Sequence, residues 1–93
     1  MIGIDLEGKK YLVMGVANRR SLGWAIADQL ATAGAQLAFS YQAERLEAEL
    51  EKLTAGLDGR LLFRCDVSQE AELSAMFGQI ADQWGSLDGI VHA

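Results

Sequence analysis

Short apolar runs and amphipathic helical stretches alternate along this chain, about 25 residues to the pair. Repeated strand–helix units argue for a parallel sheet with helices packed on its faces. Each crossover in such a sheet is expected to be right-handed. The first run, Tyr11-Leu12-Val13-Met14, lies between Lys10 and Gly15 and reads as a buried strand. A polar loop, Ala17-Asn18-Arg19-Arg20, leads to Ser21. Serine there is an N-cap, its hydroxyl accepting from a first-turn N–H. Leu22, Ile26, Leu30 and Ala33 then fall on one helical stripe, and Gly34 is placed for a left-handed stop.

The same pattern recurs. Residues 35–41 (AQLAFSY) read as a second strand, and Leu46, Leu50, Leu53 and Leu57 as a second helical stripe closing near Gly56. Residues 60–65 (RLLFRC) form a third strand. Ser68 is then expected to cap a third helix, with Leu73, Met76, Phe77, Ile80 and Trp84 on its inner face and Gly85 at its end. A fourth strand runs over residues 87–92. The predicted fold class is α/β: the first half of a Rossmann-like doubly wound parallel sheet, β-α-β-α-β-α-β, in spatial order 3-2-1-4.

Ninety-three residues suffice for one compact domain. A domain of this size buries only about 60–65% of its unfolded surface, so its core is thin. Eight Lys and Arg against thirteen Asp and Glu leave a net charge of −5. That balance argues against nonspecific nucleic-acid binding, which needs phosphate neutralisation. A single cysteine, Cys65, cannot form an intrachain disulfide. The opening MIGIDLEGKK is too polar for a signal peptide, and no apolar run approaches the ~20 residues that span a bilayer. A cytoplasmic protein with no membrane or nucleic-acid partner and no metal site is the expectation.

Ligands of an open parallel sheet bind outside the carboxyl ends of its strands. The loop after the first strand is Gly15-Val16-Ala17-Asn18-Arg19-Arg20-Ser21-Leu22-Gly23. Gly15 admits backbone angles closed to other residues and lets a ligand approach the main chain. The helix start beyond it offers unpaired N–H groups and a positive dipole end, suited to a pyrophosphate. Gly23 leaves room in the first turn, and the Ser21 hydroxyl can cap the helix or bind phosphate. The plainer reading is a simple strand-to-helix turn, because the usual G-x-G-x-x-G spacing is absent. A Walker-type loop is excluded, since no Gly-Lys-Ser/Thr follows.

Three further strand ends bear on the question. After the third strand comes Asp66-Val67, whose carboxylate can accept from an adenine amino group or simply start a helix. The second strand ends in Ser40-Tyr41-Gln42, with neither the acid typical of an NAD site nor an Arg for the extra phosphate of NADP. Gln42 hydrogen-bonds without charge, and Arg45 falls a turn into the helix; the tip leans to NAD(H). The fourth strand ends in His92-Ala93, where a small residue lets a ribose or nicotinamide lie close. His92 reads as an ordinary strand-end histidine.

Taken together, GVANRRSLGWAIA, SYQAERL, CDV and VHA resemble the bacterial enoyl-acyl-carrier-protein reductases of fatty-acid synthesis, a divergent branch of the short-chain dehydrogenase/reductase superfamily. The resemblance runs from Asp5 to Ala93. The long glycine loop with Ser21, and His92-Ala93 in place of an Asn-Ala-Gly-like turn, are its specific features. It implies that Gly15, Ala17, Ser21 and Leu22 contact the pyrophosphate and nearby ribose of NADH. It implies Gln42 at the adenosine end, Asp66 and Val67 at adenine, and Ala93 at the nicotinamide side. It further implies hydride transfer from NADH to C3 of a trans-2-enoyl group on acyl carrier protein, in a homotetramer, with a Tyr and a Lys seven apart assisting.

No such pair occurs in this chain: seven residues beyond Tyr11 and Tyr41 stand Asn18 and Ala48. The expectation is therefore that residues 1–93 are the N-terminal part of a dinucleotide-binding domain. The catalytic and substrate segments would lie beyond Ala93, leaving this stretch inactive and prone to self-association by itself. Two alternatives stay open. One is another member of the superfamily, such as a ketoacyl reductase; the other is a noncatalytic nucleotide-binding module.

Overall fold

Lys10–Met14 forms β1, and Gly15 turns the chain away from it into the loop that leads to α1, Leu22–Thr32. The structure is a computed structural model and describes residues 5–92, so the expectation for Ala93 lies outside the described residues. The chain continues through β2 (Gln36–Tyr41), a 3-10 turn (Glu44–Leu46), α2 (Glu47–Leu53), β3 (Leu61–Arg64), α3 (Glu70–Trp84) and β4 (Gly89–His92). The sheet has the order β3-β2-β1-β4, and every neighbouring pair is parallel. This is the predicted 3-2-1-4 arrangement. The strands β2, β3 and β4 begin one or two residues later than apolarity suggests, because ladder pairing starts only where a neighbour lies alongside.

Alternation in the two inner strands divides the core. Val13, Leu37, Phe39 and Tyr41 face one side, where they pack with Val16, Ala27 and Leu50. Leu12, Ala38, Phe63 and Cys65 face the other, against Met76 and Ile80 of α3. A strand covered on both faces reads as a continuous apolar run, as β2 does. The entry of β4 into the sheet is fixed by polar bonds. Lys10 N–H donates to Asp88 Oδ2 (2.8 Å), Asp88 N–H donates to the Lys10 carbonyl (2.7 Å), and Lys10 Nζ reaches the Trp84 carbonyl (3.0 Å).

Three local expectations are corrected. The predicted apolar stripe of α1 is rotated: Gly23 and Ala27 are its buried residues, and Leu22 is 68% exposed. Small residues let the helix lie close to the sheet, and Trp24 fills the space beside it, its ring 6.3 Å from that of Phe39. The second stripe packs on the core as expected, through Leu46, Leu50, Leu53 and Leu57, but the helix is shorter than the stripe. The helix stops at Leu53, capped at Thr54, and Leu57 lies beyond it. The buried Thr54 hydroxyl donates to the Leu50 carbonyl (2.7 Å) and accepts from Arg60 Nε (2.6 Å), which closes the turn. Ser68 does not cap α3; the cap position is Gln69, with no side-chain bond. The stops at Gly34 and Gly85 stand as expected, both at positive φ.

Two buried groups that are held in their protonated forms set a pH limit. Burial, reinforced by Glu72 and Asp66, pushes the Cys65 thiol above its ordinary 9.0. Burial and then Glu47 push the Tyr41 phenol above 10.0. The fold therefore holds these protons more tightly than the unfolded chain does. The contribution to stability is full below the unfolded value and is lost as pH rises through it toward the folded value. The urea midpoint is expected to drop between about pH 8 and about pH 10.5, and Cys65→Ala is expected to lessen the drop. A midpoint that stays flat over this interval would contradict the burial assigned to both groups.

Candidate functional site at the carboxyl edge of the sheet

Ladder register brings the strand ends level. Met14 pairs with Ser40 on one side and His92 on the other, and Tyr41 pairs with Arg64. The chain leaving each strand therefore departs from one edge. A notch of about 120 Å³ sits there, lined by Met14, Gly15, Ser40, Gln42, Cys65, Val67 and His92. Gly15, Gln42 and Val67 are among the residues to which the sequence points; Cys65, buried at the tip of β3, is not. A larger cavity of about 390 Å³ opens near Glu7, Gly34, Gln36 and Asp58, at the amino end of β2. It gathers none of the predicted residues, and ligands of parallel sheets bind at the other end.

Gly15 has φ 92°, a left-handed conformation that glycine adopts without strain. The loop then closes on Asn18. Its Oδ1 accepts from Arg20 N–H (2.8 Å), and its carbonyl accepts from both Ser21 N–H (3.1 Å) and Ser21 Oγ (2.8 Å). Ser21 Oγ in turn accepts from Trp24 N–H (3.2 Å), the N-cap expected from sequence. The serine hydroxyl is thus committed at both its donor and acceptor sides. Among the described residues no acceptor meets the N–H groups of Leu22 and Gly23. These two donors, at the positive end of α1, are what the loop offers an anion. What Leu22 offers there is its backbone N–H, since its side chain stands in solvent. Ala17 lies in the same loop, half-buried.

The second half of the site is the turn after β3. Cys65 N–H still bonds to the Tyr41 carbonyl (2.9 Å), so the turn starts from a fixed point. Asp66 Oδ1 accepts from Ser68 N–H (3.0 Å), from Ser68 Oγ (2.7 Å) and from Gln42 Nε2 (3.4 Å). Glu72 Oε1 reaches back from α3 to accept from Asp66 N–H (3.0 Å). The two Ser68 bonds hold the Asp66 carboxyl below its ordinary pKa, so it is ionised at neutral pH. Asp66 Oδ2 makes none of these bonds. It is left as an acceptor one residue from the Val67 N–H, which has no acceptor among the described residues. An adenine edge presents the complementary pair, an amino donor beside a ring-nitrogen acceptor. The sequence points to Asp66 and Gln42 separately and does not reveal that they touch. The Asp-x-Ser spacing, an Asx-turn signature, is the available signal for the Ser68 bonds.

Gln42 carries the neutral tip of β2. The nearest charge pair, Arg64 Nη1 to Glu44 Oε2 (3.8 Å), is exposed on both sides, where such pairs contribute little. His92 is exposed at the end of β4. Among the described residues there is no cluster of three His, Cys, Asp or Glu able to hold a metal, and no helix long and apolar enough to cross a membrane.

Comparison with known proteins identifies the family. The enoyl-(acyl carrier protein) reductase family model matches residues 15–93. The chain is 41% identical, over 88 residues, to an enoyl-acyl-carrier-protein reductase (NADH) of Neisseria meningitidis, covering 95% of this chain and 34% of that protein. It superposes on the enzyme from Anaplasma phagocytophilum, solved in complex with NAD, with a TM-score of 0.89 at 40% identity, covering 98% of this chain and 35% of that one. The Bacillus cereus enzyme, solved with NADP+ and an indole naphthyridinone, gives 0.88 at 44% identity, covering 94% and 35%. The chain spans about a third of the length of the curated relatives it matches. The family model spans everything from Gly15 onward, the fold superposes on these enzymes, and the chain belongs to the enoyl-(acyl carrier protein) reductase family.

Proposed function

We propose that the protein reduces trans-2-enoyl groups carried on acyl carrier protein, with NADH, in fatty-acid synthesis. Residues 1–93 are then the N-terminal part of its dinucleotide-binding domain, and the catalytic and substrate segments follow Ala93. The observation that carries this reading is the notch at one sheet edge that gathers Gly15, Gln42 and Val67, with Gln42 bonded to Asp66 and Gly15 leading into the loop that starts α1. In this reading Gly15 and Ala17 let the pyrophosphate approach the main chain, and Leu22 and Ser21 hold it at the helix start. Ser21 acts there by fixing the cap, since its hydroxyl is already spent on Asn18 and Trp24. Gln42 meets the adenosine ribose, Asp66 and Val67 the adenine, and Ala93 the nicotinamide side. When bound, NADH supplies the hydride for C3 of the enoyl thioester. A homotetramer working in the cytoplasm, with no nucleic-acid or membrane partner, belongs to the same reading.

The neutral β2 tip supports NADH over NADPH. A 2′-phosphate at Gln42 would stand beside the ionised Asp66, whose Oδ1 is 3.4 Å from Gln42 Nε2. The full-length protein is expected to oxidise NADH with crotonyl thioester, and to do so at lower cofactor concentration than NADPH. Gln42→Arg is expected to narrow that preference by roughly tenfold, by pairing with the phosphate. An absence of turnover with either cofactor would sink the assignment, and equal use of both by the unaltered protein would sink the role of Gln42.

A further inference from the structure

We propose that Ser68 is a positioning residue for adenine recognition, acting through Asp66. The inference rests on the dinucleotide reading above. A carboxylate on an exposed turn has two equivalent oxygens and a free rotation about its terminal bond. At Asp66 the rotation is removed. Ser68 gives Oδ1 two donors, its N–H at 3.0 Å and its hydroxyl at 2.7 Å, and Gln42 Nε2 approaches the same oxygen at 3.4 Å. Three donors on Oδ1 leave Oδ2 as the oxygen for a ligand. Glu72 fixes the other end of the turn by accepting the Asp66 N–H at 3.0 Å. The backbone around Val67 is therefore held from both sides.

The division of labour has a chemical consequence. A neutral carboxyl would present a donor as readily as an acceptor, and could not distinguish an amino group from a carbonyl oxygen. Hydrogen bonds to a carboxylate favour its charged form. The ionised Asp66 presents Oδ2 as an acceptor, matched to the exocyclic amine of adenine and mismatched to the oxo group of hypoxanthine, and Ser68, by holding Oδ1, sets the direction in which Oδ2 is presented. Ser68 touches no ligand atom in this arrangement; its effect passes through the orientation of Asp66.

The test compares two probes, NADH and its reduced hypoxanthine analogue, titrated by fluorescence against the full-length protein. Ser68→Ala is expected to weaken NADH about fivefold while leaving the analogue within about twofold, and Ser68→Thr, which keeps the hydroxyl, to restore NADH binding. In an Asp66→Ala background the Ser68→Ala change is expected to have no further effect on the preference. Equal weakening of both dinucleotides by Ser68→Ala would reduce Ser68 to a fold-holding role and overturn the proposal. Unchanged NADH binding in Ser68→Ala overturns it as well. If Asp66→Ala itself leaves the preference for adenine intact, the adenine reading of Asp66 fails, and the role of Ser68 falls with it.

Discussion

Gly15→Val is expected to lower the affinity for NADH at least tenfold, about 1.4 kcal/mol, while the sheet survives. Gly15 stands at the tip of β1, lines the notch and has φ 92°. Two effects add at this position. A β-branched residue at such a φ is a genuine outlier, so the turn either strains or relaxes toward negative φ. Relaxation would redirect residues 16–20 and with them the start of α1. On the proposed reading, a side chain would also occupy space that the pyrophosphate needs to reach the Leu22 and Gly23 N–H groups. Gly15→Ala separates the two, because it imposes the backbone strain with one methyl of bulk. It is expected to fall between the native protein and the valine variant. Fluorescence titration with NADH, alongside thermal unfolding of the unliganded proteins, reads both consequences. Native affinity in Gly15→Val would remove Gly15 from the site.

Most of the fold is legible in the sequence because its signals are local and repeated. Strand-like runs of four to seven residues and the stops at Gly34 and Gly85 place every strand and the ends of α1 and α3. The order of the strands comes from the topology of doubly wound sheets rather than from any residue. The departures lie where side-chain competition decides. Large residues suggest the α1 stripe, but the helix buries Gly23 and Ala27, since small residues permit the closest approach to the sheet. Ser68 reads as a cap until Asp66, two residues earlier, takes both of its donors. Thr54 ends α2 early through bonds to Leu50 and Arg60 that no periodicity reveals.

The candidate site is legible at a coarser level. Four strand ends can be named, and the parallel sheet requires that they share an edge. Which atoms remain free at that edge cannot be read from the residues. That Ser21 commits its hydroxyl to Asn18 while Leu22 and Gly23 keep free N–H groups follows from the loop's three-dimensional closure. The contact between Gln42 and Asp66 spans 24 positions and depends on the register of β2 against β3.

Phe39→Ala is expected to destabilise the fold by about 3–5 kcal/mol, more than any substitution at the sheet edge. Phe39 is wholly buried in the centre of β2 and heads the large, fully enclosed side chains of the core. It packs beside Trp24 of α1 on one side of the sheet, in the cluster that includes Val13, Ala27 and Leu50. Removing the ring leaves a cavity that α1 can fill only by shifting toward the sheet, where Ala27 is already in contact. Native domains hold roughly 5–15 kcal/mol in all, so the variant keeps a small remainder or none. Leu22→Ala is the matched control: equally apolar by sequence, but 68% exposed, and expected to change stability by less than about 0.5 kcal/mol. Urea unfolding of the two variants beside the native protein separates them. The comparison also reaches the site, because Phe39 lies on the strand that ends in Ser40, Tyr41 and Gln42. A Phe39→Ala protein that remains folded at low temperature is expected to bind NADH more weakly, as the β2 tip loosens against Asp66. Equal midpoints for Phe39→Ala and Leu22→Ala would mean that the core is not organised around β2, and the register that brings Gln42 to Asp66 would lose its foundation.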